Sequence, residues 1–351
     1  MLLYIHIPFC DSKCHYCSFN SYVDKLSLRK HYMEALVKQL RYELQRFETA
    51  PKAIETMFIG GGTPSTIAPH LYAPLFETVK PYLKQDAEIT SEANPNSATE
   101  SWLKGMEELG VNRISFGVQS FDDKKLKRLG RAHNSHDART ALWHAKEAGF
   151  EHLSVDLIYG VESDTMKLLE YDLEEAFSLP IDHLSAYALT IEEGTPFASS
   201  PEMADEKLEL TKWLFENITR KGFSQYEISN FGSYRSLHNM GYWQYKNYIG
   251  LGSGAVGFKD NMRFYPDLHI ENYIDNPLNI KTEALSKEEI KTEKIFLGLR
   301  SCVGINKNIL TPHEHKRAMM LVDEEKLLYR DRHFFNQDYL LSDEIALFIE
   351  N

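Results

Sequence analysis

The chain has 351 residues, with 39 Lys and Arg against 51 Asp and Glu and a formal net charge of -12. This acidic balance argues against nucleic-acid binding through a general electrostatic footprint, although it says nothing about a local basic groove. No uncharged apolar run approaches the roughly 20 residues needed to span a bilayer, and the first residues lack a basic signal-peptide region. We therefore expect a cytoplasmic protein without stable membrane insertion.

The first 230 residues alternate strand-like and helix-like segments. The strand candidates are short, rich in β-branched or aromatic residues, and bounded by Gly, Pro, Asn or Asp. They are Leu2–Ile7, Ile54–Ile59, Glu88–Ala93, Arg113–Val118, Leu153–Tyr159 and His183–Leu189. Apolar residues recur at helical spacing between them. Ser97 and Glu100 have capping-box spacing, and we expect Gly110, Gly149 and Gly222 to end helices.

Six consecutive strand–helix units with parallel connections predict a parallel sheet covered by helices. Because six units are too few for a closed eight-stranded barrel, we predict an α/β fold with a partial (β/α)6 barrel. Ligands of such sheets lie at the carboxyl ends of the strands. Five segments fall at those ends, namely Cys10, Gly60–Pro64, Glu92, Gln119 and Asp156. The sequence therefore predicts one site along this edge.

The pattern changes after about Asn230, so we predict a core over residues 1–230 and a smaller C-terminal α+β domain over 231–351. Residues Tyr242–Phe258 are aromatic and glycine-rich. Beyond Leu285 the chain is charged and helical. The last segments, Leu327–Phe335 and Tyr339–Leu347, are expected to form a small module that contains a hairpin.

The strongest chemical signal is Cys10-x3-Cys14-x2-Cys17, which holds three of the four cysteines. Such clustering indicates metal binding in a reducing compartment. Three thiolates in a short loop can hold three irons of a cubane cluster and leave the fourth iron open. A zinc site is the alternative, but structural zinc needs four ligands, of which His6 or His15 could supply the last. Cys302 lies far away, where a small buried hydrophobe is the usual role.

This cysteine loop resembles the cluster loop of the radical S-adenosylmethionine (SAM) superfamily. The resemblance implies a 4Fe-4S cluster on Cys10, Cys14 and Cys17, with SAM on the open iron. It implies that an electron from the reduced cluster cleaves SAM to a 5′-deoxyadenosyl radical. Tyr16 then matches the aromatic residue near the adenine. The run Gly60–Pro64, which includes Gly62, Thr63 and Pro64, resembles the segment that contacts the methionine amino group.

Four further polar residues complete the expected SAM site. Glu92 can accept hydrogen bonds from ribose hydroxyls or an amine, and Gln119 ends the fourth strand. Arg131 can clamp the methionine carboxylate through its planar fork. Asp156 lies in an apolar strand, where an unpaired charge is costly, so we expect a partner for it. A structural pair between Arg131 and Asp156 is the alternative interpretation.

The order of these segments resembles the coproporphyrinogen III oxidase-like branch of the superfamily, over nearly the whole chain. The resemblance puts the following residues on SAM-contacting positions: Tyr4, Gly62, Thr63, Glu92, Gln119, Arg131 and Asp156. Two functions compete within this branch. One is the oxygen-independent oxidative decarboxylation of coproporphyrinogen III, and the other is heme carriage by the HemW-type heme chaperones.

Two features favour the heme chaperone. The oxidases carry a fourth cysteine two residues beyond the third, where this chain has Phe19. His238-Asn-Met-Gly-Tyr242-Trp243 matches the His-Asn-x-x-Tyr-Trp motif of the chaperones. Imidazole is a good axial ligand for heme iron, and Tyr242 and Trp243 offer flat faces to a porphyrin. Taken without this context, a histidine between aromatic residues is more often a hydrogen-bonded core residue.

The chaperone resemblance implies heme as a ligand, with His238 as the leading iron ligand. It also implies delivery to a heme-accepting protein, such as a respiratory membrane protein. The cluster and SAM could drive or regulate this transfer, and the sequence does not distinguish the two roles. Four other histidines stay open as iron ligands, and these are His6, His15, His133 and His144.

Overall fold

The computed structural model of the chain describes residues 1–350. Its strands are β1 (Leu2–Ile7), β2 (Ile54–Gly61), β3 (Leu83–Ala93), β4 (Arg113–Gln119), β5 (His152–Tyr159), β6 (His183–Ala188), β7 (Ser224–Gln225), β8 (Asn230–Gly232), β9 (Tyr248–Leu251), β10 (Gly257–Lys259), β11 (Met262–Pro266), β12 (Ile280–Ala284), β13 (Ile305–Asn306), β14 (Leu327–Arg330) and β15 (His333–Asn336). Its α-helices are α1 (Arg29–Arg46), α2 (Pro69–Val79), α3 (Glu100–Glu108), α4 (Asp123–Arg128), α5 (Ser135–Ala148), α6 (Met166–Phe177), α7 (Leu208–Arg220), α8 (Leu237–Trp243), α9 (Ile270–Asp275), α10 (Lys287–Leu299), α11 (Pro312–Asp323) and α12 (Ser342–Glu350).

One 12-stranded sheet organises the molecule, in the order β12-β11-β10-β9-β1-β2-β3-β4-β5-β6-β8-β7. Strands β1 to β6 pair in parallel in sequence order, as predicted, and β9 joins β1 in parallel on the other side. The remaining strand pairs are antiparallel. Within residues 1–350, β12 and β7 form the two sheet edges, so the barrel is open. The predicted α/β fold with a partial barrel is confirmed.

The two faces of the parallel strands differ because successive side chains alternate. One face carries apolar residues such as Ile5, Ile59 and Ile114, which belong to the main hydrophobic core. The opposite face carries polar residues, including Glu92, Ser115 and Asp156. Ser115 is buried and the two carboxylates are partly buried, and polar groups that are removed from water need partners or a ligand. The polar face is therefore the concave interior that the site must use.

The helix ends show how local chemistry sets the boundaries. Gly110, Gly149 and Gly222 all have positive φ near 100°, a conformation that glycine adopts without strain, and the predicted helix stops are confirmed. The predicted cap at Ser97 is wrong. Thr99 caps α3 by accepting the Trp102 N–H at 3.2 Å, while the hydroxyl of Ser97 lies 2.6 Å from that of Ser65.

The C-terminal part of the chain contributes to two hydrophobic cores. The large sheet continues to Ala284 through β9 to β12. A second hydrophobic core begins with α10 and includes Ile295, Leu321, Phe334 and Ile349. The expected hairpin is confirmed as β14 and β15, which pair with β13 in a three-stranded sheet. No helix in the described part of the chain is both long and apolar enough to cross a bilayer.

Candidate functional site

A cavity of about 420 Å³ opens at the carboxyl ends of the parallel strands. Its size falls in the range of cofactor pockets. Eleven of the sequence-predicted site residues line it, whereas Tyr4, His238 and the four other candidate histidines do not. These lining residues are Cys10, Cys14, Tyr16, Cys17, Gly62, Thr63, Pro64, Glu92, Gln119, Arg131 and Asp156. Segments far apart in the chain thus meet where the strand-end argument expected them.

The three cysteines lie together in this cavity and act on one another electrostatically. Burial raises the pKa of the Cys10 and Cys17 thiols, and the neighbouring cysteines raise both pKa values further. The Thr63 hydroxyl donates to the Cys10 sulfur at 3.4 Å, and Arg131 Nη1 donates to the Cys14 sulfur at 3.1 Å. Thiols held close together and away from water are stabilised as thiolates by a bound cationic centre. The residues present therefore fit an iron–sulfur cluster.

The two histidines that could complete a zinc site have other partners. His6 Nδ1 lies 3.0 Å from the Tyr4 hydroxyl and its Nε2 lies 2.8 Å from the Asn20 carbonyl. His15 Nδ1 lies 3.0 Å from the Arg128 carbonyl. Across residues 1–350, no three His, Cys, Asp or Glu side chains converge on one ion position. A cubane cluster does not require such convergence, because each thiolate binds a different iron.

The glycine run after β2 is packed directly on the cysteine loop. Gly62 N donates to the Ile7 carbonyl at 2.8 Å, and Thr63 N donates to the Phe9 carbonyl at 2.7 Å. A Cβ on Gly62 would lie 2.8 Å from the Phe9 carbonyl and 3.0 Å from the Cys10 sulfur. Glycine is therefore required here by close backbone approach, which is the role that the sequence predicted for this run.

Two partly buried carboxylates, Glu92 and Asp156, interact electrostatically inside the barrel. Burial, and then the charge of Asp156, raises the pKa of Glu92 to about 8, while the N–H of Gly61 donates to it at 3.0 Å. Burial also raises the pKa of Asp156, and hydrogen bonds from Ser185 and Ser115 oppose that shift. Two carboxylates that repel each other favour a ligand that brings hydroxyl donors or an ammonium group.

Arg131 is held by neutral and sulfur acceptors. It donates to Asn94 Oδ1 at 2.7 Å, to the Gly117 carbonyl and to the Cys14 sulfur. No ion pair joins Arg131 to Asp156 among the described residues, so the alternative structural pair is not formed. The buried Arg131 Nε has no hydrogen-bond partner within residues 1–350. A guanidinium with an unused donor beside the cavity suits a carboxylate ligand.

The end of β4 shows a feature that the sequence did not reveal. Gln119 has a φ of +72°, and the pairing with β5 shifts between Gly117 and Gln119. Such a bulge redirects the side chain, and Gln119 is the non-glycine residue at positive φ that lines the cavity. Asn94 is a second residue that the sequence analysis missed. It donates to Thr63 Oγ1 at 3.1 Å and accepts from Arg131, and its Asn-Pro turn after β3 was the available signal.

Tyr4 and His238 lie elsewhere in the barrel. Tyr4 bonds to His6 and packs on Phe58 at 6.3 Å between ring centroids. His238 is 1% exposed, with Nδ1 2.7 Å from Thr56 Oγ1 and Nε2 3.1 Å from the Tyr242 hydroxyl. Burial lowers its pKa to about 3, so the ring is neutral. Heme ligation by His238 stays a prediction, and it requires these hydrogen bonds to open.

The helix that carries His238 closes the amino ends of the strands, opposite the first cavity. Glu88 of β3 accepts the N–H groups of Leu237 at 2.8 Å and His238 at 2.9 Å, which anchors the first turn of α8. A Cβ on Gly241 would lie 2.6 Å from the Leu2 side chain, so α8 packs tightly on β1. The helix with the His-Asn-x-x-Tyr-Trp motif is therefore held firmly against the amino ends of β1 and β3.

Comparison with known proteins identifies the family. The radical SAM superfamily model matches residues 4–176. The chain is 35% identical to the heme chaperone HemW of Bacillus subtilis over 322 residues, which cover 87% of this chain and 84% of that protein. It is 39% identical to the Escherichia coli heme chaperone HemW over 265 residues, covering 73% and 69%. The mitochondrial radical SAM domain-containing protein 1 of Mus musculus is 34% identical over 345 residues, covering 89% and 74%.

The fold is also known from a solved structure. Coproporphyrinogen III oxidase (HemN) from Escherichia coli matches with a TM-score of 0.83 at 19% identity, covering 100% of this chain and 90% of that one. At this identity the likeness shows the fold alone. The superfamily match, the heme chaperone relatives and the cysteine-lined cavity agree, and the chain belongs to the HemW-like family of radical SAM proteins.

Proposed function

We propose that this protein is a heme chaperone, which binds heme and transfers it to an acceptor protein. The observation that carries the proposal is the 35% identity to the Bacillus subtilis heme chaperone HemW over 87% of the chain. The His-Asn-x-x-Tyr-Trp pattern on α8 adds support, because it matches the motif of the heme chaperones. Clustered cysteines favour a reducing compartment, so we propose action in the cytoplasm. A respiratory membrane protein is the acceptor class that we propose.

We further propose that Cys10, Cys14 and Cys17 hold a 4Fe-4S cluster with SAM on its open iron. When bound, the cluster supplies an electron to the sulfonium of SAM. The residues of this chain position that ligand. The Gly62–Thr63 backbone and the Glu92 carboxylate offer acceptors to its amine and hydroxyl groups, and Arg131 offers donors to its carboxylate.

Coproporphyrinogen oxidation is the competing function, and Phe19 bears on it. The side chain of Phe19 is 64% exposed and lines the first cavity, at the position where the oxidases carry a further cysteine. An aromatic ring cannot replace a thiol as a metal ligand or redox group. We therefore expect no conversion of coproporphyrinogen III by the reduced, SAM-loaded protein.

Three measurements on anaerobically reconstituted protein test the proposal. Hemin should bind with one-to-one stoichiometry and shift the Soret band, and the loaded protein should pass heme to an apo acceptor. Cys14→Ala should abolish cluster assembly, measured as iron and sulfide per chain. Absence of hemin binding would refute the chaperone, a full cluster in Cys14→Ala would refute the cluster assignment, and steady coproporphyrinogen turnover would establish the oxidase.

A further inference from the structure

Arg113 is a buried arginine inside the barrel that does not line the first cavity. It begins β4 and alternates with Ile114 and Phe116 of the hydrophobic core, so its side chain shares the interior face with Ser115. Ser115 lines the cavity, whereas Arg113 is outside the lining and only 2% exposed. Arg113 therefore lies one layer beneath the cavity, towards the amino ends of the strands.

The guanidinium of Arg113 has no direct anionic partner. Within residues 1–350 no carboxylate forms an ion pair with it, and its buried Nε has no hydrogen-bond partner. The Thr90 hydroxyl, at the paired position of β3, is fully buried and also lacks a partner. A guanidinium taken out of water is costly unless opposite charges nearby compensate it. Compensation must therefore act across the interior of the barrel.

Most titratable groups around Arg113 are uncharged at neutral pH. Burial, and then the charge of Arg113, lowers the pKa of both His183 and His238. Loss of hydration raises the pKa of the nearby tyrosines above 10. These tyrosines are Tyr4, Tyr187, Tyr226 and Tyr234. The charges that remain are the guanidinium of Arg131 and three carboxylates, on Glu88, Glu92 and Asp156.

Glu88 is already engaged at the amino ends of the strands. It accepts the N–H groups of Leu237 and His238 and the hydroxyl of Tyr234, each at 2.8 or 2.9 Å. Such donors satisfy a carboxylate. An added anion beside Arg113 is disfavoured, because the neighbouring charges of the interior are carboxylates. The free charge of Arg113 is thus available to the two carboxylates of the cavity.

We propose that Arg113 is a positioning residue for SAM, whose charge favours the ionised form of Glu92 and Asp156 that accepts the ammonium and hydroxyl groups of the ligand. This rests on the SAM site proposed above. Burial raises the pKa of both carboxyl groups, and the charge of Arg113 opposes that rise in each. Arg131 opposes it at Asp156. Because Arg113 lies beneath the cavity, it acts on both carboxylates without taking space from the ligand.

SAM titration of the reconstituted full chain, followed through the cluster signal from mildly acidic to mildly alkaline pH, tests this role. SAM affinity of the unaltered protein should rise with pH up to about 8, because ionised Glu92 accepts an ammonium group better than the protonated acid. Arg113→Gln should move this rise upward by about one pH unit and weaken binding at neutral pH about tenfold. Arg113→Lys keeps the charge and should restore the original pH profile.

The apo protein gives a second readout that needs neither cluster nor SAM. The pKa of Glu92, followed by carbon-13 NMR of its carboxyl group, should be higher in Arg113→Gln than in the unaltered protein. Arg300→Gln is the matched control, because it removes a guanidinium that pairs with Asp343 at 2.7 Å in the C-terminal part of the chain. It should leave SAM affinity, its pH profile and the pKa of Glu92 unchanged.

The outcomes separate Arg113 from the SAM site itself. An unaltered chain that binds no SAM refutes the SAM site, and the pKa of Glu92 in the apo protein still decides whether Arg113 acts on it. An unchanged pH profile in folded Arg113→Gln overturns the positioning role. A loss of affinity that is equal at every pH overturns it too, since it shows a structural role alone. Arg113→Met, an apolar replacement, should behave as Arg113→Gln does. If neither folds while Arg113→Lys does, Arg113 serves stability and the proposal fails.

Discussion

Replacing Gly62 by alanine should disable the cluster site through a single methyl group. The new Cβ would lie 2.8 Å from the Phe9 carbonyl, 2.9 Å from the Ile7 carbonyl and 3.0 Å from the Cys10 sulfur. The two carbonyls belong to a backbone that Gly62 and Thr63 hold by hydrogen bonds of 2.8 and 2.7 Å. Relief of these contacts requires the backbone hydrogen bonds to lengthen and Cys10 to shift, so we expect the cysteine loop to be displaced.

The stability cost of this overpacking should be about 1–3 kcal/mol, measured by denaturant unfolding of the apo protein. The loss of bound cluster should be larger than a fall of this size in unfolding free energy would cause by itself. Iron and sulfide per chain should fall after reconstitution, and SAM should no longer perturb the residual cluster signal. A Gly62→Ala protein with a full, SAM-responsive cluster would refute the close-approach argument.

Gly110→Ala is the matched control for this experiment. Gly110 has a φ of +102°, and no atom lies within 4 Å of the place that an added methyl carbon would take, so its replacement strains the backbone without crowding. A left-handed alanine costs roughly 1–2 kcal/mol. Gly110→Ala should therefore lose similar stability and keep the whole cluster, which separates a general loss of stability from displacement of the cysteine loop.

Three further predictions concern buried charges. Burial raises the pKa of Glu92 from 4.5 to about 8. Between these pH values the unfolded chain has released the Glu92 proton and the folded chain still holds it. The unfolding free energy of the apo protein should therefore fall by up to about 1.4 kcal/mol for each unit that the pH rises in this range. Glu92→Gln should remove that slope in denaturant unfolding at several pH values, and an unchanged slope would contradict the assignment. Lys125→Ala should lower the unfolding free energy by about 3–5 kcal/mol, because it removes the cation that lies 2.7 Å from buried Asp164 and 3.8 Å from buried Asp172. A loss below about 1 kcal/mol would argue against this ion network. Arg131→Lys should weaken SAM binding in a titration of the cluster signal, since an ammonium lacks the planar fork, and equal affinity would remove Arg131 from the site.

The sequence by itself determined the elements whose signals are local. The six parallel strands, the glycine helix stops and the cysteine loop are read from neighbouring residues, because alternation, φ preference and ligand spacing act over a few positions. The position of the first cavity also followed, since parallel strands place their carboxyl ends at one edge. The order of residues along the chain was therefore sufficient to predict these features.

Tertiary structure alone decided the features that depend on contacts between distant residues. The sequence left His238 open as an iron ligand or as a hydrogen-bonded core residue, and only the fold shows that Thr56, 182 positions away, and Tyr242 contact its two nitrogens. The bulge at Gln119 depends on the pairing of β4 with β5. The extension of the sheet to Ala284 depends on the parallel pairing of β9 with β1. The contact between the sheet and α10, where Arg263 of β11 pairs with Glu293, likewise joins residues that are distant in the chain. Burial and hydrogen-bond competition across the fold set these outcomes, and no local pattern encodes them.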